Sequence, residues 1–146
     1  VGSLVLGSAA FIRQARRTRK ISGGGMRQAG VLAAAGHYAL QHHVRRLAED
    51  HANLHTLASG LRAVGENHPV LRGRITVHPW QTNILFTDVQ ADVAPAFTAW
   101  LAQHQIRVTS SLYGGQSRLR WVTHLDVNAA DVQAALDCVA RFTLPG

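Results

Sequence analysis

Residues 8–30 read "SAAFIRQARRTRKISGGGMRQAG", and this stretch decides how the first part of the chain folds. Its arginines recur at spacings of three and four, which is typical of one face of an α-helix. Ser8 is suited to cap the start of that helix. Gly23 to Gly25 then end it, because glycine adopts the left-handed conformation that a helix C-terminus requires. The stretch predicts a basic helix followed by a glycine loop.

The positive charge of the chain is concentrated in this stretch. Residues 1–30 hold six lysines and arginines and no acidic residue, whereas residues 31–146 hold nine arginines against eight acids. A local excess of this kind favours one anion-facing patch over a general polyanion-binding surface.

On either side of this stretch the pattern predicts further elements. Residues 1–8, "VGSLVLGS", form an apolar run typical of a buried strand. The alanine-rich residues 26–40 predict a helix buried against close neighbours. Residues 44–64 repeat leucine and valine every three or four positions, which predicts a long amphipathic helix that Gly65 and Pro69 end.

The second half of the chain alternates between strand-like and helix-like segments. Two helices are expected, one capped by Asp92 and one by Asn128. A turn at Gly114 and Gly115 joins two of the strands. The pattern predicts a small α+β unit with two helices on one face of an antiparallel or mixed sheet. The predicted strands are residues 75–80, 83–89, 106–110 and 118–125.

Length and composition bound the class of protein. The chain has 146 residues and 47% apolar content, which suits one folded domain of ordinary composition. No apolar run has the length of a membrane helix and no secretory signal precedes the first element, so we expect a cytoplasmic protein. The single cysteine, Cys138, falls on an amphipathic helix and is expected to be an inert packed thiol.

The glycine loop is the first candidate site. Glycines that precede a helix N-terminus expose backbone N–H groups suited to a phosphate. No Walker or GxGxxG pattern is present, so ATP and dinucleotides are poorly supported. A solvated arginine face followed by a plain glycine cap remains the alternative at this point.

The strand "RLRWVTHL" is the second candidate. Because side chains alternate along a strand, Arg118 and Arg120 share one face and Leu119 and Trp121 the other. An arginine there can donate two N–H groups to a carboxylate, or it can pair with Asp126 or a neighbouring acid.

His51 and His55 are one helical turn apart, as zinc ligands on helices often are. The sequence shows no third ligand near them, so a surface pair is the better interpretation and no metal is expected.

Taken together, residues 1–40 and "RLAEDHANLHTLASGL" (residues 46–61) resemble the low-specificity L-threonine aldolases. The resemblance continues through "TNILF" (82–86) and "RWVTHLDV" (120–127), in the same order, and covers essentially the whole chain. That family belongs to the aspartate-aminotransferase-like, fold-type I enzymes that use pyridoxal 5'-phosphate.

The resemblance implies an α/β fold: a C-terminal portion of the aspartate-aminotransferase-like fold, with an α+β small domain. It implies a boundary between residues 1–52, the end of the large cofactor domain, and residues 53–146, the small domain. It also implies that the lysine forming the Schiff base lies before Val1, so no catalytic residue is assigned within this chain. Lys20 matches a different lysine of the family.

The resemblance further implies cleavage of L-threonine or allo-threonine to glycine and acetaldehyde, and we expect this chain by itself to be inactive. Arg120 would bind the substrate carboxylate, and Lys20 and Arg27 the cofactor phosphate, at the interface of a homodimer or homotetramer. No nucleic-acid or membrane partner is expected. Two alternatives stay open: a non-enzymatic anion or nucleic-acid binding module using residues 13–27, and a lyase acting on another amino acid.

Overall fold

The computed structural model describes residues 3–144 and divides the chain into two compact units, residues 1–45 and residues 46–146. The first unit contains helices α1 (Ala9–Ile21) and α2 (Gly30–His42). The second unit contains helices α3 (Leu47–Asn67), α4 (Ala94–Gln103) and α5 (Ala129–Ala140), and strands β1 (Ile75–Val77), β2 (Ile84–Val89), β3 (Thr109–Tyr113) and β4 (Gln116–Val122).

Helix α1 begins and ends as its sequence predicts. The Ser8 hydroxyl accepts a hydrogen bond from the Phe11 N–H at 3.3 Å, which caps the first turn. At the other end Gly23 has a φ of 76°. The N–H groups of Gly23 and Gly24 bond back to the carbonyls of Lys20 and Arg19, the pair of bonds that defines a Schellman cap.

Two predictions for the first unit are wrong in this structure. Residues 3–8 form no strand, and Leu4 and Leu6 are 74% and 87% exposed, while residues 1 and 2 lie outside the described residues. Helix α2 begins at Gly30, four residues later than expected, and has no buried residue. A strand needs a hydrogen-bonded neighbour and an apolar helix needs a covering surface, and the described part of the first unit supplies neither.

The second unit is built on a four-stranded antiparallel sheet of order β1-β2-β4-β3. Strand β2 pairs with β4 so that Asp88 lies opposite Arg118 and Phe86 lies opposite Arg120. The hairpin between β3 and β4 turns at Gly114 and Gly115, as predicted. Since the order places β2 and β4 at the centre, their side chains dominate both faces of the sheet.

One face of this sheet forms the hydrophobic core together with three helices, one more than the pattern predicted. The side chains at 85, 87 and 89 of β2 and at 119 and 121 of β4 are buried, whereas those between them are more exposed, apart from Asp88. The largest fully buried apolar side chains are Phe97, Phe142, Leu54, Leu61, Leu71, Leu85, Leu101, Leu119, Val89, Val93 and Val139.

The ends of two helices differ from the prediction. Helix α3 continues through Gly65 and ends at Asn67. A β-carbon at position 65 would lie 3.1 Å from the Ile75 carbonyl oxygen. Gly65 therefore lets α3 approach β1 closely, and Pro69 alone marks the end of the helix. Helix α4 has no side-chain cap, since Val93 rather than Asp92 occupies its N-cap position; the Asp92 carboxylate pairs with Arg74 at 3.0 Å.

Helix α5 has the cap that its sequence predicts. The Asn128 side chain accepts from the N–H groups of Ala130 and Asp131, and the Asp131 carboxylate accepts from the Asn128 N–H at 2.9 Å. This reciprocal pair is a capping box.

Replacing Asn128 by alanine should therefore lower the free energy of unfolding of the second unit by about 1 kcal/mol, because two N–H groups lose their acceptor. Urea unfolding followed by tryptophan fluorescence measures this, since Trp80, Trp100 and Trp121 all lie in that unit. Gln133→Ala, at an exposed position of the same helix, is the control and should change stability by less than about 0.5 kcal/mol.

Among the described residues, no helix combines the length and the apolar character that crossing a membrane requires.

Candidate functional site

The predicted phosphate-binding residues flank the glycine loop of the first unit. Lys20 lies in the last turn of α1, and Arg27 lies in the turn that precedes α2; both are exposed. We call residues 20–27 the cationic loop. A β-carbon at Gly25 would lie 2.9 Å from Lys20 Cδ and 3.1 Å from its Nζ, so the absence of a side chain there lets the lysine lie against the loop backbone.

The chemistry of the cationic loop suits a phosphate ester. No acidic residue occurs in residues 1–45, so neither cation has a carboxylate partner within that sequence. Gln28, directly after Arg27, has a φ of 50°, a left-handed conformation that is uncommon outside glycine and turns the chain toward α2. Two exposed cations beside a glycine-rich backbone, with no salt bridge to any residue that the structure describes, suit a doubly charged phosphate ester.

The predicted substrate-binding residue lies on the sheet of the second unit. Arg118 and Arg120 share the outer face of β4, and Leu119 and Trp121 are buried beneath it, as the alternation predicts. Arg120 is exposed and lies opposite Phe86 on β2 and Thr109 on β3. Within residues 3–144 Arg120 has no salt bridge, so its guanidinium is available for a ligand.

Arg118 has a partner, unlike Arg120. Its Nε donates to Asp88 Oδ1 at 2.7 Å and its Nη2 to Asp88 Oδ2 at 2.8 Å, a bidentate pair across β2 and β4. His78 Nε2 lies 2.8 Å from the same Asp88 Oδ2. The guanidinium also stacks on the Tyr113 ring, 3.9 Å from its centre. We call Asp88, Arg118, His78 and Tyr113 the ion cluster.

The ion cluster perturbs the ionisation of its carboxylate. Hydrogen bonds from Arg118 are the largest cause, and with those of His78 they lower the pKa of Asp88 from 3.8 to about 2, although burial acts in the opposite direction. The same hydrogen bond to Asp88 raises the pKa of Arg118. The pair therefore stays fully ionised at neutral pH.

This shift predicts acid sensitivity. Because the pKa of Asp88 is lower in the folded state, its stabilisation is present above the unfolded value of 3.8 and is lost as the pH falls toward about 2. We expect Asp88→Asn to lower the free energy of unfolding by about 2 kcal/mol at pH 7. The variant should also lose most of the decrease in this free energy that the unchanged chain shows between about pH 5 and 2. Urea unfolding by tryptophan fluorescence at several pH values measures this.

The matched control is Asp126→Asn, whose carboxylate side chain is 85% exposed beside His124. It should leave the pH profile unchanged. If the two variants gave the same profile, the assigned role of Asp88 in acid stability would be wrong.

Sequence reasoning missed Asp88, His78 and Tyr113. The alternation of "NILFTDV" would have placed Asp88 on the same face as Phe86. The sequence pattern does not give the register between β2 and β4, and this register brings together Asp88 and Arg118, which are 30 positions apart. Asp126, the acid that the sequence suggested as a partner for a strand arginine, has its Oδ2 3.7 Å from His124 Nδ1 instead.

The remaining candidates lead to no site. Cys138 is buried, as predicted for a packed thiol. His51 and His55 are both exposed, and His55 lies edge-on to Trp80. The residues that the structure describes include no group of three potential metal ligands.

Comparison with known proteins places this chain in a family. The sequence profile of the beta-eliminating lyase family matches residues 1–92. The low-specificity L-threonine aldolase of Escherichia coli K12 is 41% identical over 128 residues, which cover 88% of this chain and 34% of that enzyme. The probable low-specificity L-threonine aldolase 2 of Arabidopsis thaliana is 39% identical over 97% of this chain and 38% of its own length. The chain thus spans little more than a third of these curated relatives.

A solved structure supports the fold. The 8-amino-7-oxononanoate synthase of Francisella tularensis superposes with a TM-score of 0.56 and 17% identity, over 75% of this chain and 30% of that protein. The predicted α/β fold of the aspartate-aminotransferase type is confirmed by this likeness and by the small antiparallel sheet. The profile match and the identities agree with it: the chain belongs to the beta-eliminating lyase family and is similar to its low-specificity L-threonine aldolases over most of its length.

Proposed function

We propose that this chain forms part of a pyridoxal-phosphate-dependent lyase that cleaves L-threonine or allo-threonine to glycine and acetaldehyde. The family assignment supports a lyase, and the identity to threonine aldolases supports this substrate class. The proposal rests most directly on Arg120: its guanidinium is exposed on the sheet face and has no salt bridge among the described residues, whereas the neighbouring Arg118 is already paired.

Arg120 would bind the α-carboxylate of the substrate. A guanidinium can donate two parallel N–H groups to a carboxylate, which fixes the orientation of the amino acid as well as its position. Holding the carboxylate would help to set the direction of the bond between Cα and Cβ relative to the cofactor ring. This orientation favours cleavage of that bond over the other bonds at Cα. Phe86 lies opposite Arg120 on the neighbouring strand β2 and is 39% exposed, so it offers an apolar surface beside that carboxylate.

Lys20 and Arg27 would hold the cofactor phosphate. Both side chains are exposed on the cationic loop, and the glycines allow the loop backbone to approach an anion closely. The bound cofactor would supply a conjugated ring that accepts the electron pair released when the carbon bond breaks. Lys20 is the chain's single lysine, and its assignment to the phosphate means that the covalent lysine must come from another segment.

The partners are part of the same proposal. We expect a homodimer or homotetramer, with the cationic loop close to a subunit interface, and no activity from this chain without the remaining segments. We also propose a cytoplasmic location.

A non-enzymatic anion or nucleic-acid binding module remains the second candidate, favoured by the exposed basic face of α1. Binding to nucleic acid should weaken steeply with salt, with a slope set by the number of phosphates contacted. Saturable binding of a small phosphate ester that depends on Lys20 and Arg27 would favour the lyase instead.

A chimera tests the proposed function. In the Escherichia coli enzyme, the segment that matches this chain is replaced by this chain, and release of acetaldehyde and glycine from L-threonine is measured. We expect activity within about tenfold of the parent, since a tenfold loss corresponds to only about 1.4 kcal/mol in the barrier. A soluble chimera that binds pyridoxal phosphate but releases no acetaldehyde would contradict the proposal.

A further inference from the structure

Two arginines lie two positions apart on the outer face of β4, and they differ in the residue that faces them. Arg118 lies opposite Asp88, whereas Arg120 lies opposite Phe86. On the other side both face a hydroxyl residue, Ser111 and Thr109 respectively. The cross-strand neighbour on β2 therefore decides which guanidinium is free.

Asp88 is held firmly in its place. Its side chain is only 10% exposed, and it accepts two bonds from Arg118 and lies 2.8 Å from His78 Nε2. Tyr113 stacks on the other side of Arg118. The two hydrogen bonds from Arg118 match its charge with the Asp88 carboxylate, so the Arg118–Asp88 pair contributes no net charge to this face.

We propose that Asp88 is a specificity-determining residue: by neutralising Arg118, it limits this sheet face to one carboxylate and so favours amino acids with uncharged side chains. This inference rests on the proposed function, because it assumes that Arg120 binds the α-carboxylate. Residues two positions apart on a strand are separated by about 6.6 Å. Flexible arginine side chains at two such positions can reach the two carboxylates of one small molecule. Without the charge of Asp88, Arg118 and Arg120 together form a site for a dicarboxylate.

Anion binding by the chain itself tests this without any need for activity. Acetate and succinate are titrated into the chain, and the arginine Nε–Hε signals are followed by NMR. For the unchanged chain we expect succinate to bind this sheet face at most about twofold more tightly than acetate, because Arg118 is paired with Asp88 and only Arg120 of the two arginines on β4 remains to bind a carboxylate. In Asp88→Asn the preference for succinate should rise to about tenfold or more, since a second charge-assisted pair forms.

Two further variants separate the release of Arg118 from a general loosening of the sheet. In Asp88→Asn combined with Arg118→Met, the preference for succinate should return to about twofold. In Arg118→Met alone, the unpaired Asp88 charge should weaken binding of both anions by about fivefold or more. If Asp88→Asn does not fold, the result for Arg118→Met alone tests the proposal.

The proposal is overturned if Asp88→Asn folds and keeps the original ratio, if the double variant retains the gain, or if Arg118→Met binds both anions normally. Its failure is distinct from that of the proposed function, because an active chimera can coexist with any of these results. Loss of acetate binding in Arg120→Met, with Asp88 unchanged, confirms that the titration reports on this face.

Discussion

Arg120→Ala in the chimera should lower kcat/KM for L-threonine about a thousandfold, and Arg120→Lys about ten- to a hundredfold. The alanine variant loses both charge-assisted hydrogen bonds to the carboxylate, and each is worth about 1.5–3 kcal/mol. Lysine keeps the charge but cannot make the bidentate contact. It therefore restores the affinity for the substrate better than the orientation of its carboxylate. We therefore expect the lysine variant to lose more in kcat than in 1/KM. Steady-state kinetics of acetaldehyde release measures both parameters.

Arg141→Ala is the matched control, because Arg141 is an exposed arginine of the same unit at the C-terminal end of α5. It should change kcat/KM by less than about twofold, as surface substitutions usually do. An Arg120→Ala enzyme with more than half of the chimera's activity would remove Arg120 from the substrate site.

The second large effect concerns the cationic loop. Lys20→Ala combined with Arg27→Ala should weaken binding of pyridoxal phosphate by the chimera about a hundredfold or more, because two charge-assisted contacts to the phosphate are lost. Either single variant should lose about tenfold. Quenching of tryptophan fluorescence on cofactor titration gives the dissociation constant.

Pyridoxal without its phosphate distinguishes this effect from a folding defect. Its affinity should be the same in the double variant and in the chimera, because the lost cations face only the phosphate. Arg13→Ala, an exposed position on the same helix α1, is the control and should bind both ligands normally. Equal losses for pyridoxal and pyridoxal phosphate would show that Lys20 and Arg27 do not bind the phosphate.

The sequence predicted those features that depend on neighbours along the chain. Ser8 and Asn128 cap their helices, because a cap is made by residues two or three positions away. The alternation along β4 placed Arg118 and Arg120 on one face, because side-chain direction follows from the strand itself.

The features that failed depend on distant parts of the chain. Asp92 does not cap α4: Val93 occupies the N-cap position, and the Asp92 carboxylate pairs with Arg74, eighteen positions earlier. The apolar residues 3–8 need a neighbouring strand, and none of the described residues of the first unit provides one. The pairing of Arg118 with Asp88 follows from sheet register, which local pattern does not specify. The domain boundary at residues 52 and 53 and the roles of Lys20, Arg27 and Arg120 stay predictions.

We propose one division of roles: Arg120 binds the substrate carboxylate, and Lys20 and Arg27 bind the cofactor phosphate. A crystal structure of the chimera with pyridoxal phosphate and glycine tests it directly. We predict that the Arg120 guanidinium lies within about 3 Å of the glycine carboxylate, and that Lys20 or Arg27 lies equally near a cofactor phosphate. A structure in which Arg120 contacts no carboxylate in any subunit, or in which other residues alone bind the phosphate, would contradict it.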